Sequence, residues 1–176
     1  MPETIQVNKE DSVNVIVSKN EVLPLYRESI NLNVYSGATT NDYGIGFGAR
    51  ANYFSPFRVT FGFSYTLFIN AYALLTANSI SQPSIELGYA IPSAPFVVRP
   101  YMMVGSSRIN LEVLLFNLNE HPDRFQSYRT LTPGIELIVP IFDSEGQFSF
   151  DIRYNYIPEL PTFRAFIFLF NVGVSL

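Results

Sequence analysis

Apolar and polar residues alternate singly along much of this chain. From Arg58 to Ala71, RVTFGFSYTLFINA places Val59, Phe61, Phe63, Tyr65, Leu67, Ile69 and Ala71 on one face. Arg58, Thr60, Gly62, Ser64, Thr66, Phe68 and Asn70 fall on the other. A period of two is that of a strand with different surroundings on its two faces. Two architectures share it. In a soluble barrel or sandwich the apolar face is the core. In a transmembrane barrel the apolar face meets lipid and the polar face fills the lumen.

The same alternation recurs in INLNVYSG, DYGIGFGARANYF, SIELGYAI, FVVRPYMMVGS, TLTPGIELIVPI, QFSFDIRYNY and AFIFLFNVGVSL. Together these predict about eight strands, most of the length needed to cross a bilayer at a tilt. Short turns (SPF, PSAP, DSEG) follow the second, fourth and sixth. Connections containing LLTANSISQP, LEVLLFNLNEHPDRF and IPELPT follow the third, fifth and seventh, and SGATTN after the first is intermediate. Short turns at one end and longer loops at the other suit an all-β, antiparallel, up-and-down transmembrane barrel. An even strand number then puts both termini on the short-turn side, the periplasm. Residues 25–176 are read as this barrel and residues 1–24 as a periplasmic segment or an extra strand, with Ser12 to Val17 the candidate strand.

Composition bears on which face is inside. Only 15% of the 176 residues are charged, against roughly 25% in ordinary soluble domains. A soluble exterior has little to be built from. The polar faces are rich in Gly, Ser, Thr and Asn. Their charges are Arg50, Arg58, Glu86, Arg99, Glu136, Asp151 and Arg153, of both signs and without Lys. Arginine suits bidentate pairing with carboxylates away from bulk water, and the glycines of GIGFG suit a narrow lumen. These features favour the lipid-out barrel. Phe61, Phe63, Leu67, Phe168 and Phe170 are then expected to contact lipid, and the seven charged residues to pair in an interior just wide enough for side chains. Aromatic belts are expected at Tyr53, Phe57, Phe96 and Phe142 near the periplasm and at Tyr43, Tyr72, Tyr128 and Tyr156 on the outer side.

No run of apolar residues is long enough for a transmembrane helix. The net charge of -4 does not point to nucleic acid, and the absence of Cys excludes thiol chemistry and thiolate metal sites. MPETIQVNKE shows neither a basic n-region nor an apolar h-region. Export therefore requires a leader outside this sequence, which counts mildly against the membrane reading.

From about Tyr26 to Leu176 the pattern resembles the small eight-stranded outer-membrane barrels of the OmpA, OmpX and OmpW type. The resemblance is architectural and no subfamily motif is matched. Such proteins commonly end in Phe, whereas this chain ends VGVSL. The resemblance implies a bacterial outer-membrane location, a lipid bilayer partner and the outer-membrane insertion machinery.

Candidate chemistry is sparse. His121 in NEHPDRF is the only His. Ser106, Ser107 and Ser127 are in its wider neighbourhood, and Glu120 and Asp123 are close in sequence. Nothing in the spacing enforces a nucleophile–base contact, so a polar loop residue is the favoured reading and no catalytic residue is assigned. A paired-carboxylate site on Glu86 and Glu136 has no substrate cavity to support it. No metal spacing or phosphate loop is present, and no cofactor is expected. The apolar stretch Ile109 to Leu118 extends the fifth strand, lies on the outer leaflet, or offers a partner surface within the loop Ile109 to Ser127. The reading favoured is a non-enzymatic outer-membrane barrel with a plugged polar lumen: a structural anchor, a surface interaction protein or a narrow transport element. The alternatives are an outer-leaflet lipid-modifying enzyme and a soluble lipocalin-like carrier of apolar ligands.

Overall fold

The computed structural model describes residues 28–40, 44–69, 78–93, 95–111, 125–141, 145–160 and 164–176. The regular elements among them are all strands: β1 Ser29–Thr39, β2 Ile45–Phe54, β3 Val59–Ile69, β4 Asn78–Tyr89 continued by Ile91–Ser93, β5 Phe96–Leu111, β6 Phe125–Pro140, β7 Gly146–Tyr156 and β8 Arg164–Ser175. The two parts of β4 form one strand, because Gly88 opposite Tyr101 and Ile91 opposite Val98 lie in a single register. Each strand pairs antiparallel with the next, and β8 pairs with β1. The sheet is therefore a closed eight-stranded barrel. Closure gives every strand a partner on both sides.

The register fixes the shape. Partners can be followed around the sheet from Ser29 through Phe54, Thr60, Gly88, Tyr101, Gly134, Arg153 and Ile167 to Thr39. The path starts at position 29 of β1 and returns at position 39, a shear of ten residues. With about 3.3 Å per residue and about 4.8 Å between strands, this tilts the strands roughly 40° and gives a backbone radius of roughly 8 Å. Such a cylinder holds one layer of side chains from each wall.

The alternation read from sequence becomes inside and outside. In β3, Thr60, Ser64, Thr66 and Phe68 are buried, while Phe61, Phe63, Tyr65 and Ile69 are exposed. Phe168 and Phe170 of β8 are likewise exposed, and Leu67 is half-buried on the same outward face. Three strands run further than expected: β4 begins at Asn78, inside the stretch LLTANSISQP read as a connection, and β5 and β6 both lengthen at the loop end. Ser107 and Ile109 are buried while Arg108 is exposed, so the alternation of β5 continues through the polar SSR, and residues 106–110 pair with 125–129 of β6. Ile109 to Leu111 thus extend the fifth strand.

Two expected placements are corrected. Arg58 does not enter the interior. It sits exposed in the β2–β3 turn at φ 68°, its N–H bonded to the Ser55 carbonyl at 2.9 Å. The strand begins one residue later, so the parity that put Arg58 with Thr60 does not apply. Tyr128 is not on an outer belt: it lies between Arg129 and Ser127, both exposed, and packs on the buried interior cluster. The outward phase of β6 falls on odd residues. Tyr53, Phe57 and Phe96 are exposed near the short-turn end; Tyr156 is half-buried at the loop end of β7. Tyr43, Tyr72, Phe142, His121, Glu120, Asp123 and the segment 1–24 lie outside the described residues.

The ends of the described chain are together. Ile30 and Leu176 exchange two backbone hydrogen bonds of 3.0 and 2.9 Å. This is the same end as the turn at 55–58 and as Ser93, Pro95, Ile141 and Glu145.

Candidate functional site

Six of the seven charged residues expected in the interior meet there: Arg50 of β2, Glu86 of β4, Arg99 of β5, Glu136 of β6, and Asp151 and Arg153 of β7 are all buried. Three arginines face three carboxylates, so the set is formally neutral. Glu136 and Asp151 are direct cross-strand partners, and like charges so placed repel. Arg50 resolves this from the opposite wall. Its Nη1 lies 2.9 Å from Glu136 and its Nη2 2.6 Å from Asp151, while Nε is 3.3 Å from Glu86. Arg99 bridges Glu86 at 2.8 Å and Glu136 at 2.7 Å, and Arg153 holds Asp151 at 2.8 Å. An isolated ion here would face a desolvation penalty of several kcal/mol; mutual pairing offsets it.

Two tyrosines organise the network, and neither was singled out from sequence. The Tyr101 hydroxyl donates to Asp151 at 2.6 Å and accepts from Arg50 at 3.3 Å. Its ring centroid lies 4.7 Å from the Arg99 guanidinium and 5.2 Å from that of Arg50. Tyr35 takes Arg153 over its ring at 4.8 Å. Cation–π contact of this kind stabilises desolvated guanidiniums. Ser149 donates to Glu136 at 2.5 Å and accepts from Asn171 at 2.8 Å.

Apolar clusters stand above and below this belt. Tyr35, Phe68, Ile80, Ile109, Ala165, Ile167 and Leu169 form one toward the loop end, and Phe54, Ala90, Val97 and Ile138 form the other toward the short turns. The sequence signal for them was weak, because single apolar residues on a polar face read as noise. Uncharged polar groups share these levels, such as Gln82 and Thr132 donating to Asn155 at 2.9 and 2.8 Å. The interior is thus filled with charge pairs while the exterior carries Phe, Ile, Leu and Val. A groove of about 520 Å³ lies on the outer wall, where Ala49 and Ala51 leave space beside Leu32, Val34, Phe63 and Val172. A carrier of apolar ligands needs the reverse arrangement.

Solved structures share the barrel. Neisserial surface protein A (NspA) aligns with TM-score 0.63 and 18% identity over 84% of this chain and 96% of its own. The fold is that of the small outer-membrane β-barrels. The N-terminal β-barrel domain of Pseudomonas aeruginosa OprF aligns with TM-score 0.59 and 15% identity over 85% of this chain and 98% of its own. The Yersinia pestis outer membrane protein Ail, solved in a phospholipid bilayer nanodisc, aligns with TM-score 0.50 and 11% identity over 85% and 100%. The sequence matches no family model and no curated protein.

Among the described residues no group of His, Cys, Asp and Glu is placed to hold a metal ion. Of the serines near His121 in sequence, Ser107 is buried, while Ser106 and Ser127 share a 2.7 Å hydrogen bond on the outer wall.

Proposed function

We propose that this chain is a non-enzymatic barrel of the bacterial outer membrane, with a lumen plugged by charge pairing, acting as a membrane anchor that presents its loops at the surface. One observation carries the reading: a neutral, fully buried Arg–carboxylate belt fills the lumen of a barrel whose outer wall is apolar. A narrow interior filled by side chains leaves no aqueous channel. Phe61, Phe63, Leu67, Phe168 and Phe170 take lipid contact in this reading. The short turns and the ends at Ile30 and Leu176 face the periplasm, following the usual asymmetry of such barrels. The connection within Ile109 to Ser127 is the surface offered to partners, and the insertion machinery delivers the barrel.

Planar-bilayer recording on the purified, reconstituted protein tests the plug. The expected trace has no stable single-channel steps. Large, steady steps in the unmutated protein would overturn it. A folded protein that stays monodisperse without detergent or lipid would overturn the membrane assignment itself.

A further inference from the structure

The outward face of the barrel carries charge at only three described strand positions, Arg108, Arg129 and Arg164. All three are arginines and all lie at the loop end. Arg164 opens β8. Arg108 and Arg129 belong to the extended hairpin of β5 and β6, where Arg108 lies opposite Ser127 and Arg129 opposite Ser106. The two serine hydroxyls, which are diagonal neighbours, are bonded to each other at 2.7 Å. The other diagonal joins the two arginines, at roughly 7–8 Å between backbones. Among the described residues no ion pair involves Arg108 or Arg129.

Directly toward the barrel's middle, the same two strands present Val104 opposite Leu131 and Met102 opposite Pro133. All four are exposed. A polar quartet of two guanidiniums and two hydroxyls therefore sits at the edge of an apolar wall. The short-turn end has no such quartet; its described charges are Glu28, Arg58 and Glu145, while the loop end carries one described carboxylate, Glu159 just past β7, beside the three arginines.

We infer that Arg108, Arg129, Ser106 and Ser127 form a site for the phosphate of an anionic lipid headgroup in the leaflet at the loop end. The inference rests on the membrane reading above. Guanidinium forks match phosphate oxygens bidentately. One serine of the bonded pair keeps a hydroxyl hydrogen free to donate to a third oxygen. The lipid's acyl chains then lie on Met102, Val104, Leu131 and Pro133. A water-soluble anion would use only the quartet; a lipid uses both the quartet and the wall beneath it, which favours the lipid as occupant.

The test uses the full chain in nanodiscs of phosphatidylcholine containing about one part in ten phosphatidic acid, with retained lipid counted by native mass spectrometry. The wild type is expected to retain phosphatidic acid well above the bulk ratio, with each arginine contributing roughly fivefold. Arg108→Gln with Arg129→Gln is expected to bring retention to the bulk ratio, while Arg58→Gln at the other end leaves enrichment unchanged. Heat-modifiable migration on gels confirms that each variant is folded. No enrichment in the inserted wild type, or equal enrichment in the double variant, would overturn the site. Full displacement by excess inorganic phosphate would overturn the lipid as its occupant. A protein that never enters the nanodisc would overturn the membrane reading instead.

Discussion

Tyr101 and Gly134 are direct partners across β5 and β6, and the tyrosine ring occupies the space that a Cβ on residue 134 would fill. The ring reaches Asp151 only because that wall is bare. Gly134→Ala is therefore expected to push the ring out of the charge belt and destabilise the barrel by about 1–3 kcal/mol, the usual cost of overpacking. Urea unfolding in lipid vesicles measures it. Wild-type stability in Gly134→Ala would mean that the ring yields freely.

Removing only the hydroxyl separates packing from hydrogen bonding. Tyr101→Phe keeps the ring and deletes the donor to Asp151 Oδ1. A hydrogen bond to a charged group is lost, so about 1.5–3 kcal/mol is expected. Tyr35→Phe deletes a hydroxyl bonded to Thr66 Oγ1 at 2.7 Å and to the Tyr65 carbonyl at 3.1 Å, both uncharged partners. Its cost should be the smaller, near 0.5–1.5 kcal/mol. The reverse order in matched unfolding curves would show that the charge belt does not depend on Tyr101.

These tyrosines mark where the sequence was legible and where it was not. The period of two placed Arg50, Glu86, Arg99, Glu136, Asp151 and Arg153 on polar faces, because one-residue alternation assigns every side chain of a strand once one is assigned. It could not give their pairing, which depends on a shear of ten residues set by eight separate registers. It also could not show that Tyr35, Phe68 and Tyr101 are each matched by a cross-strand glycine, at Gly48, Gly46 and Gly134. An aromatic on a polar face with a glycine on the next strand is a visible signal, but only after register is known. Arg58 failed for a local reason: alternation stops at a turn, and residue 58 sits in the left-handed region.

That turn is itself testable. An L residue in the left-handed region costs about 1–2 kcal/mol, and glycine's greater unfolded freedom offsets about 0.5–1 kcal/mol of any relief. Arg58→Gly should thus leave stability unchanged or raise it by up to about 1 kcal/mol. An Arg drawn into the lumen network would instead cost several kcal/mol to remove. Guanidinium or urea titration of the variant decides between the two positions.

Phe63 lies near the middle of β3, exposed, with Ala51 and Ile85 as its cross-strand neighbours. In a bilayer this is close to the midplane. Phe63→Arg is expected to cost about 2–4 kcal/mol, and the same change nearer the rim, as at Ile69, about 0–1 kcal/mol. Equal costs at both depths, measured by unfolding from vesicles, would argue against a depth-graded apolar surround.

Of the three carboxylates in the belt, Glu136 takes the most polar contacts. It accepts from Arg99 Nε at 2.8 Å and from Ser149, and it lies 2.9 Å from Arg50 and 2.7 Å from Arg99 Nη2. Glu136→Ala leaves three guanidiniums, those of Arg50, Arg99 and Arg153, sharing Glu86 and Asp151, with net positive charge inside a narrow, low-dielectric cylinder. Breaking a buried pair from one side costs about 3–5 kcal/mol, unless water enters to solvate the excess charge. The expected outcome is therefore either a matching loss of stability or a small new conductance with anion preference. Bilayer recording and vesicle unfolding on the same preparation distinguish the two. Arg99→Ala combined with Glu136→Ala restores neutrality, so it should recover part of the loss and abolish any new conductance. A double variant no better than Glu136→Ala alone on both readouts would show that charge balance is not what closes the lumen.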